Sequence, residues 1–313
     1  MKLIGMDSGG TSCRLVLCDG TGAVLSACRV AGHNPNIDGF DAVEESYRQG
    51  LRLLLKDAGG EACAVDALFA GIAGGEGDNK PRLTAILERL LPNCGAVRVS
   101  NDALIALASG LGRSEGGVLI AGTGTIGFLR KEGRLLRFGG WGYLADRGGS
   151  GWHIGRDGFR AAMAGEDAGL PRTALTGLFE KKLGMSMTSA VPALYRGEIR
   201  PAECAPLVLQ AAEAGDEAAM AVLRYNADCL RELLTAMCRV FGREECPVVL
   251  AGGLLSRDSL YLRLLKEQCA DLPLKPILPA LPPVFGAACL AAEAAGCPDD
   301  PDFTRRFAAT FTL

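Results

Sequence analysis

The segment Leu3-Ile4-Gly5-Met6-Asp7-Ser8-Gly9-Gly10-Thr11 is a short apolar strand that runs into a carboxylate, two glycines and a hydroxyl. A second apolar run, Cys13–Cys18, is followed by Asp19-Gly20-Thr21-Gly22, which is a strong hairpin signal, and then by an alternating run over Ala23–Val30. These residues predict a three-stranded meander whose first turn is rich in glycine.

The glycine turn after the first strand suits a phosphate group. Gly9 and Gly10 let backbone N–H groups approach phosphate oxygens, and Asp7 can hold Mg²⁺ through water. Taken alone, the same residues also fit a plain β-turn, so the prediction depends on the rest of the chain.

The same pattern of a strand, a glycine turn and two further strands occurs a second time. The strand Gly117–Ile120 runs into Ala121-Gly122-Thr123-Gly124-Thr125, and two further short strands, Ile126–Arg130 and Arg134–Phe138, complete a second meander. Two such turns at equivalent places of a repeated pattern predict a nucleoside triphosphate held in a cleft between two related domains, with their boundary near residues 113–117.

After each meander the pattern continues as strand, helix, strand, helix. The predicted segments of the first half are Asp66–Ala73, 80–91 and Ala96–Ser100, and those of the second half are Pro247–Ala251, 257–270, Leu274–Leu278 and 283–295. Residues 41–58 also have helical spacing, and Gly215-Asp216 opens a long amphipathic helix over 216–241. The sequence therefore predicts an internal duplication of an α/β unit.

Three further groups of residues could carry chemistry. Asn101-Asp102 follows a buried strand, where ligands of open α/β sheets bind, so Asp102 is either a helix N-cap or a general base. Glycines around Trp141 would let its ring approach a ligand, and Asp146 and Ser150 could bind hydroxyls. Gly252-Gly253, at the end of a strand, would let a flat base lie against the backbone.

Composition excludes several classes of protein. The 313 residues carry a net charge of −3, which argues against a general nucleic-acid or acidic-membrane binder. The 12 cysteines form no CxxC pair and there are two histidines, so we expect reduced, buried thiols rather than a zinc or iron–sulfur site. Asp7 comes too early for a signal peptide, and the absence of a long uncharged apolar run argues against a membrane span, so a cytoplasmic location is expected.

As an ordered set, these motifs resemble the BadF/BadG/BcrA/BcrD ATPase family, and within it the N-acetylglucosamine kinase branch. The motifs are Asp7-x-Gly-Gly-Thr, Asn101-Asp102, Gly122-Thr-Gly, Gly140-Trp-Gly, Asp146-x-Gly-Gly-Ser-Gly and Ala251-Gly-Gly. The resemblance covers nearly all of residues 1–296. It implies the actin/hexokinase-like (ribonuclease H-like) fold, with two duplicated α/β domains around a nucleotide cleft.

The resemblance also implies a domain division and an activity. Residues 1–115 would form the N-terminal actin-like domain, to which a final helix at about 284–296 returns, residues 116–283 the C-terminal one with a helical insertion, and 297–313 a tail. The activity would be ATP- and Mg²⁺-dependent phosphorylation of the 6-hydroxyl of an amino sugar, most simply N-acetylglucosamine. A homodimer is common among such relatives.

Site residues follow from the same resemblance. The nucleotide would be bound by Asp7, Gly9, Gly10, Thr11, Gly122, Thr123, Gly124, Gly215, Gly252 and Gly253. The sugar would be bound by Asn34, Asp102, Gly140, Trp141, Gly142 and Asp146, with Asp102 also the catalytic base. Ser150 is a further sugar-binding candidate.

One departure and two alternatives accompany this prediction. Many relatives read Gly-Asp-Glu-Gly-Ser-Gly after the tryptophan motif, whereas here Asp146 lies one place earlier and Arg147 follows it. His33, beside Asn34, is a second position that could tune substrate choice. The alternative functions are an ATPase that activates a dehydratase or reductase through a shared iron–sulfur cluster, and a non-catalytic sugar sensor. A ROK-type kinase would need a cysteine-rich zinc loop with a histidine, which the sequence lacks.

Overall fold

The protein is described here by a computed structural model, which covers residues 1–60, 63–167, 171–243, 245–255 and 259–313. The chain divides into two compact units. The first unit comprises Met1–Glu115 and Pro279–Leu313, and the second comprises Gly116–Leu278. The chain thus passes between units within the expected window of 113–117 and returns a few residues before the expected 284.

The first unit is built on a five-stranded sheet. Its strands are β1 (Lys2–Ser8), β2 (Ser12–Asp19), β3 (Val24–Ala31), β4 (Ala67–Ile72) and β5 (Val97–Ser100). The order is β3-β2-β1-β4-β5, with β1, β2 and β3 antiparallel and with β4 parallel to both β1 and β5. The predicted meander is confirmed, and the carboxyl ends of β1, β4 and β5 lie at the same edge of the sheet.

Helices cover both faces of this sheet. They are α1 (Phe40–Leu55), α2 (Asn79–Leu90), α3 (Asp102–Leu111), α10 (Pro283–Ala294) and α11 (Phe303–Thr310). Because successive side chains of a strand point to opposite faces, Ile4 packs with the core under α1 and α2, whereas Leu3 packs with the core under α3, α10 and α11. Helix α10 therefore belongs to the first unit.

The second unit repeats the sheet of the first. Its strands are β6 (Gly116–Ala121), β7 (Thr125–Lys131), β8 (Arg134–Phe138), β9 (Cys246–Ala251) and β10 (Leu274–Ile277). Their order, β10-β9-β6-β7-β8, is that of the first unit when β6 is counted as the first strand. The parallel pairs β6–β9 and β9–β10 also correspond, so the predicted duplication is confirmed at the level of topology.

The second unit differs by its helices. They are α4 (Gly151–Ala164), α5 (Ala174–Leu183), α6 (Met187–Tyr195), a short 3₁₀ helix (Pro201–Cys204), α7 (Ala205–Glu213), α8 (Glu217–Phe241) and α9 (Leu260–Gln268). The predicted long helix is α8. The predicted helix over 257–270 begins partly outside the described residues, because Ser256, Arg257 and Asp258 are not among them.

One feature of the fold was not predicted. Residues 297–313, expected as a tail, contain α11, whose Phe303 and Phe307 are buried against Phe285 of α10. All 12 cysteines lie in the described part of the chain as unpaired thiols, most of them buried. Over the described residues, no helix is long and apolar enough to cross a membrane.

Candidate active site

The first predicted phosphate loop lies directly after β1. Its turn is closed by the Gly9 N–H, which donates to the Ser12 carbonyl at 3.0 Å. Asp7 lies opposite Arg14 across the β1–β2 ladder, and their side chains form an ion pair at 3.4 Å. A Cβ at Gly10 would meet nothing within 4 Å among the described residues. The loop backbone is therefore open to a ligand of the predicted kind.

Asp102 begins helix α3 beyond the carboxyl end of β5. The sequence allowed Asp102 to be the N-cap of this helix, and that expectation was wrong. Asn101 is the cap, because its side-chain oxygen accepts a hydrogen bond from the Leu104 N–H at 3.1 Å. The Asn101 amide nitrogen donates to the carboxylate of Glu76. The Asp102 carboxyl is thus left free of the capping role.

Asp102 and Asp7, at this strand edge, both have a raised pKa. Burial is the main cause that raises the pKa of Asp102, and the charge of Glu76 adds to it. Burial also raises the pKa of Asp7 to about 6, against the lowering effect of Arg14 and with a further raising contribution from Asp102. Asp7, Glu76 and Asp102 therefore form one electrostatic group in the first unit, and a raised pKa suits a carboxylate that must accept a proton near neutral pH.

The loop that carries Asn34 packs against the first phosphate loop. A Cβ at Gly32 would lie 2.2 Å from the Gly9 carbonyl oxygen, so only glycine allows this close approach. The Asn34 side-chain oxygen accepts from the Asn36 N–H at 2.9 Å. Asp38 accepts from the Asn34 N–H at 2.8 Å and also pairs with His33 at 3.7 Å. The first unit therefore brings Asp7, Asn34 and Asp102 to one edge of its sheet.

The second predicted phosphate loop lies after β6 and is held from two sides. The Gly151 and Trp152 N–H groups at the start of α4 donate to the carbonyls of Gly122 and Thr123 at 2.7 and 3.2 Å. Gly252, with φ +95°, is so close that a Cβ would lie 2.2 Å from the Ala121 carbonyl oxygen. A side chain at Gly122, Gly124 or Gly253 would meet nothing within 4 Å among the described residues. This loop also has open backbone.

Thr125, at the end of the second loop, was quoted in the motif but not predicted as a site residue. It is 7% exposed, and its hydroxyl is buried without a hydrogen-bond partner in the described part of the chain. Buried hydroxyls are normally paired. An unpaired hydroxyl next to open glycine backbone is consistent with a polar ligand.

The segment around Trp141 is an exposed turn of the second unit. Trp141 is 67% exposed, and the Arg137 guanidinium lies 4.3 Å above its ring. The Gly142 N–H donates to the Asp146 carboxylate at 3.1 Å, which closes the turn. Arg147, which follows the shifted acid, is exposed and paired with Glu232 rather than directed at Asp146. Asp146 therefore has one carboxylate oxygen engaged within the segment itself.

Ser150 and Gly215 have clear local roles. Ser150 is 1% exposed and caps α4, and its hydroxyl lies 2.6 Å from His153 Nδ1. This geometry favours a positioning role for Ser150 over direct contact with a sugar. Gly215 has φ +89° and precedes Asp216, which caps α8 through the Ala219 N–H at 2.8 Å. Glu76 and His153 are the residues that sequence reasoning missed, although Glu76 lies in a glycine-rich segment after a buried strand, which is itself a signal.

Comparisons with known proteins show which family the chain is similar to. The model of the BadF/BadG/BcrA/BcrD ATPase family matches residues 4–291. The chain is 29% identical over 308 residues to the N-acetyl-D-glucosamine kinase of Dictyostelium discoideum, covering 92% of this chain and 97% of that protein. It is 30% identical over 261 residues to the N-acetylmuramic acid/N-acetylglucosamine kinase of Clostridium acetobutylicum, covering 81% and 85%.

The fold agrees as well. The solved structure of a proposed N-acetylglucosamine kinase from Chromobacterium violaceum matches with a TM-score of 0.70 at 25% identity, covering 93% of this chain and 98% of that one. Together with the repeated sheet order, this similarity identifies the actin/hexokinase-like fold. The chain belongs to the BadF/BadG/BcrA/BcrD ATPase family.

Proposed function

We propose that this protein is an ATP-dependent kinase that phosphorylates the 6-hydroxyl of an amino sugar, with N-acetylglucosamine as the first candidate. The family match and the two curated relatives support an amino-sugar kinase. The single observation that carries the proposal is Asp102, a carboxyl of raised pKa that lies at the same sheet edge as Asp7. The sugar hydroxyl that attacks the phosphate must lose its proton, and a carboxylate at this place can accept it. A protein that only hydrolysed ATP would not need a sugar-binding segment.

The described residues fit a nucleotide. Gly10 in the first unit and Gly122, Gly124 and Gly253 in the second have open space where a side chain would stand, and Thr125 has an unpaired hydroxyl. Gly9, Thr11, Thr123, Gly215 and Gly252 belong to the same proposal. Phosphoryl transfer depends mainly on positioning and charge neutralisation, and the N–H groups of the two loops together with Mg²⁺ would supply them to the phosphates of ATP.

Asp7 is the residue we propose for Mg²⁺. Magnesium keeps several waters and commonly uses one or two carboxylates in addition to substrate phosphates, so a single carboxylate is a sufficient donor set. With a pKa of about 6, the Asp7 carboxyl is mostly ionised at neutral pH. Its partner Arg14 holds it at the end of β1.

Asp102 is the proposed general base. Its carboxylate accepts a hydrogen bond from the 6-hydroxyl, orients the oxygen and takes the proton as the oxygen attacks. Because the Asn101 side chain caps α3, it holds the first turn of the helix, and therefore Asp102, in place. Asn34, Gly140, Trp141, Gly142 and Asp146 are proposed to bind the remaining hydroxyls and the ring face of the sugar.

Release of ADP from ATP, measured with a panel of sugars, tests the function. We expect turnover with N-acetylglucosamine, glucosamine or N-acetylmuramic acid, and little ATP hydrolysis when no sugar is present. Fast ATP hydrolysis that no sugar changes would contradict the kinase and favour an ATPase activator. A homodimer and a cytoplasmic location belong to the same proposal, and sedimentation measurements would test the former.

A further inference from the structure

His153 lies outside every motif that predicted the site, yet it contacts two of the predicted residues. It is 1% exposed and lies in the first turn of α4. Its Nδ1 lies 2.6 Å from the Ser150 hydroxyl, and its Nε2 lies 3.0 Å from the backbone carbonyl oxygen of Asp146. The imidazole thus connects Asp146, at the end of the predicted sugar-binding segment Gly140–Asp146, to the start of α4.

The partners determine which nitrogen carries the proton. A carbonyl oxygen can only accept a hydrogen bond, so Nε2 must be the protonated nitrogen that donates to Asp146. Nδ1 of the neutral ring is then an acceptor, and the Ser150 hydroxyl donates to it. The Ser150 oxygen also accepts from the His153 N–H at 3.4 Å. The Ser150 hydroxyl thus donates one hydrogen bond to His153 and accepts one from it.

The residues that His153 reaches are those that shape the predicted sugar segment. The Asp146 N–H donates to the Gly142 carbonyl at 2.8 Å, and the Asp146 carboxylate accepts from the Gly142 N–H. The Tyr143 ring, within the same turn, stacks on Trp152 at 4.5 Å. The turn is therefore held to α4 by a ring stack and by the bond from His153.

We propose that His153 is the positioning residue that fixes the segment Gly140–Asp146 against α4, through the bond from its Nε2–H to the Asp146 carbonyl. The proposal rests on the proposed function for its meaning, since that segment is where the sugar is expected to bind. A second proton on the ring would make Nδ1 a donor to the Ser150 oxygen, whereas the Nε2–H bond to Asp146 would remain.

The surroundings of the ring favour the neutral form. Burial is the largest cause that lowers the pKa of His153 below its ordinary value of 6.5, and the charge of Arg156 lowers it further. Asp157 and the backbone carbonyls of Asp146 and Tyr143 act in the opposite direction. The Trp152 ring meets the imidazole edge-on at 5.5 Å.

Two substitutions separate the two contacts. In His153→Gln, the amide nitrogen stands near the place of Nε2 and can still donate to Asp146, whereas the acceptor for Ser150 is lost. In His153→Asn, the side-chain oxygen stands near Nδ1 and can accept from Ser150, whereas the bond to Asp146 is lost. We expect His153→Asn to raise the sugar KM by about threefold to tenfold, the usual effect of losing one hydrogen bond, with the ATP KM unchanged. His153→Gln should have a smaller effect.

The free protein provides a readout that needs no activity. The chain has two tryptophans, Trp141 and Trp152, so in Trp141→Phe all tryptophan emission comes from the ring beside His153. Trp152 stacks on Tyr143 of the segment, so its emission reports whether the segment stays against α4. We expect the emission maximum to shift to longer wavelength when His153→Asn is added, because the indole becomes more exposed to water, and to shift less when His153→Gln is added.

The outcomes are distinct. A Trp152 emission maximum that His153→Asn leaves unchanged would overturn the proposal, as would an unchanged sugar KM in His153→Asn. Absence of turnover with every sugar would count against the proposed function alone, and the emission of the free protein would still decide on His153.

Discussion

At the scale of single residues, substitution of Asp102 should change the reaction rate strongly and the stability little. In Asp102→Asn, the amide can still accept a hydrogen bond from a sugar hydroxyl but cannot take its proton. We expect kcat to fall by about 10²- to 10⁴-fold, as for the loss of other general bases. In the wild type, kcat should fall as the pH is lowered through the raised pKa of Asp102, and steady-state assays across pH would measure both effects.

Whereas kcat falls in Asp102→Asn, the stability of this variant should not fall. A carboxyl whose pKa is raised by folding contributes most stability below its ordinary value of 3.8, and that contribution is lost as the pH rises through the folded-state pKa. At pH 8 the ionised Asp102 carboxylate therefore lowers the free energy of unfolding of the wild type, and the neutral amide of the variant does not. Because Asn101 remains the cap, the melting temperature should stay equal or rise slightly.

The matched control is Asp78→Asn, which removes an exposed carboxylate from the loop that carries Glu76. It should retain wild-type kcat. If Asp102→Asn keeps more than about a third of wild-type kcat, the assignment of Asp102 as the base is lost.

At the scale of elements, the junction between α5 and α8 depends on one carboxylate. Asp216 accepts from the Ala219 N–H at 2.8 Å with one oxygen and from the Ala174 N–H at 2.7 Å with the other. Asp216→Ala removes both bonds, and we expect the free energy of unfolding to fall by about 1–2 kcal/mol, the range for losing an N-cap. Denaturant unfolding would measure it.

Asp216→Asn is the graded comparison for this junction. An asparagine keeps the oxygen that caps α8 but has no second acceptor for Ala174, so its stability should lie between those of the wild type and Asp216→Ala. Equal stability of all three proteins would show that neither bond contributes.

At the scale of the whole molecule, the last helix completes the core of the first unit. Phe307 is 0% exposed, its ring centroid is 4.9 Å from that of Phe285, and it also stacks on Phe311 at 5.2 Å. Phe307→Ala should lower the free energy of unfolding by about 3–5 kcal/mol, as for other buried phenylalanines. Arg305→Ala, on the exposed side of α11, should change it by less than about 0.5 kcal/mol. A Phe307→Ala protein as stable as Arg305→Ala would mean that α11 is only loosely attached.

The sequence by itself determined the duplicated meanders, the order of strands and helices and the two glycine loops. These features are local, because glycine turns, hairpin signals and apolar periodicity act over a few residues. Asp216 as the cap of α8 is predictable for the same reason. The roles proposed for Asp7, Asn34, Asp102 and Trp141 came from the ordered set of motifs, and kinetics rather than geometry will test them.

Only the tertiary structure decided which polar groups are paired across the fold. Glu76 accepts from the Asn101 amide, 25 residues further along the chain, because β4 and β5 end at the same edge of the sheet. His153 holds Asp146 because α4 begins where the sugar segment ends. Hydrogen bonds and pKa values depend on distance and burial between residues far apart in the chain or on opposite sides of a turn, and no local pattern in the sequence encodes them.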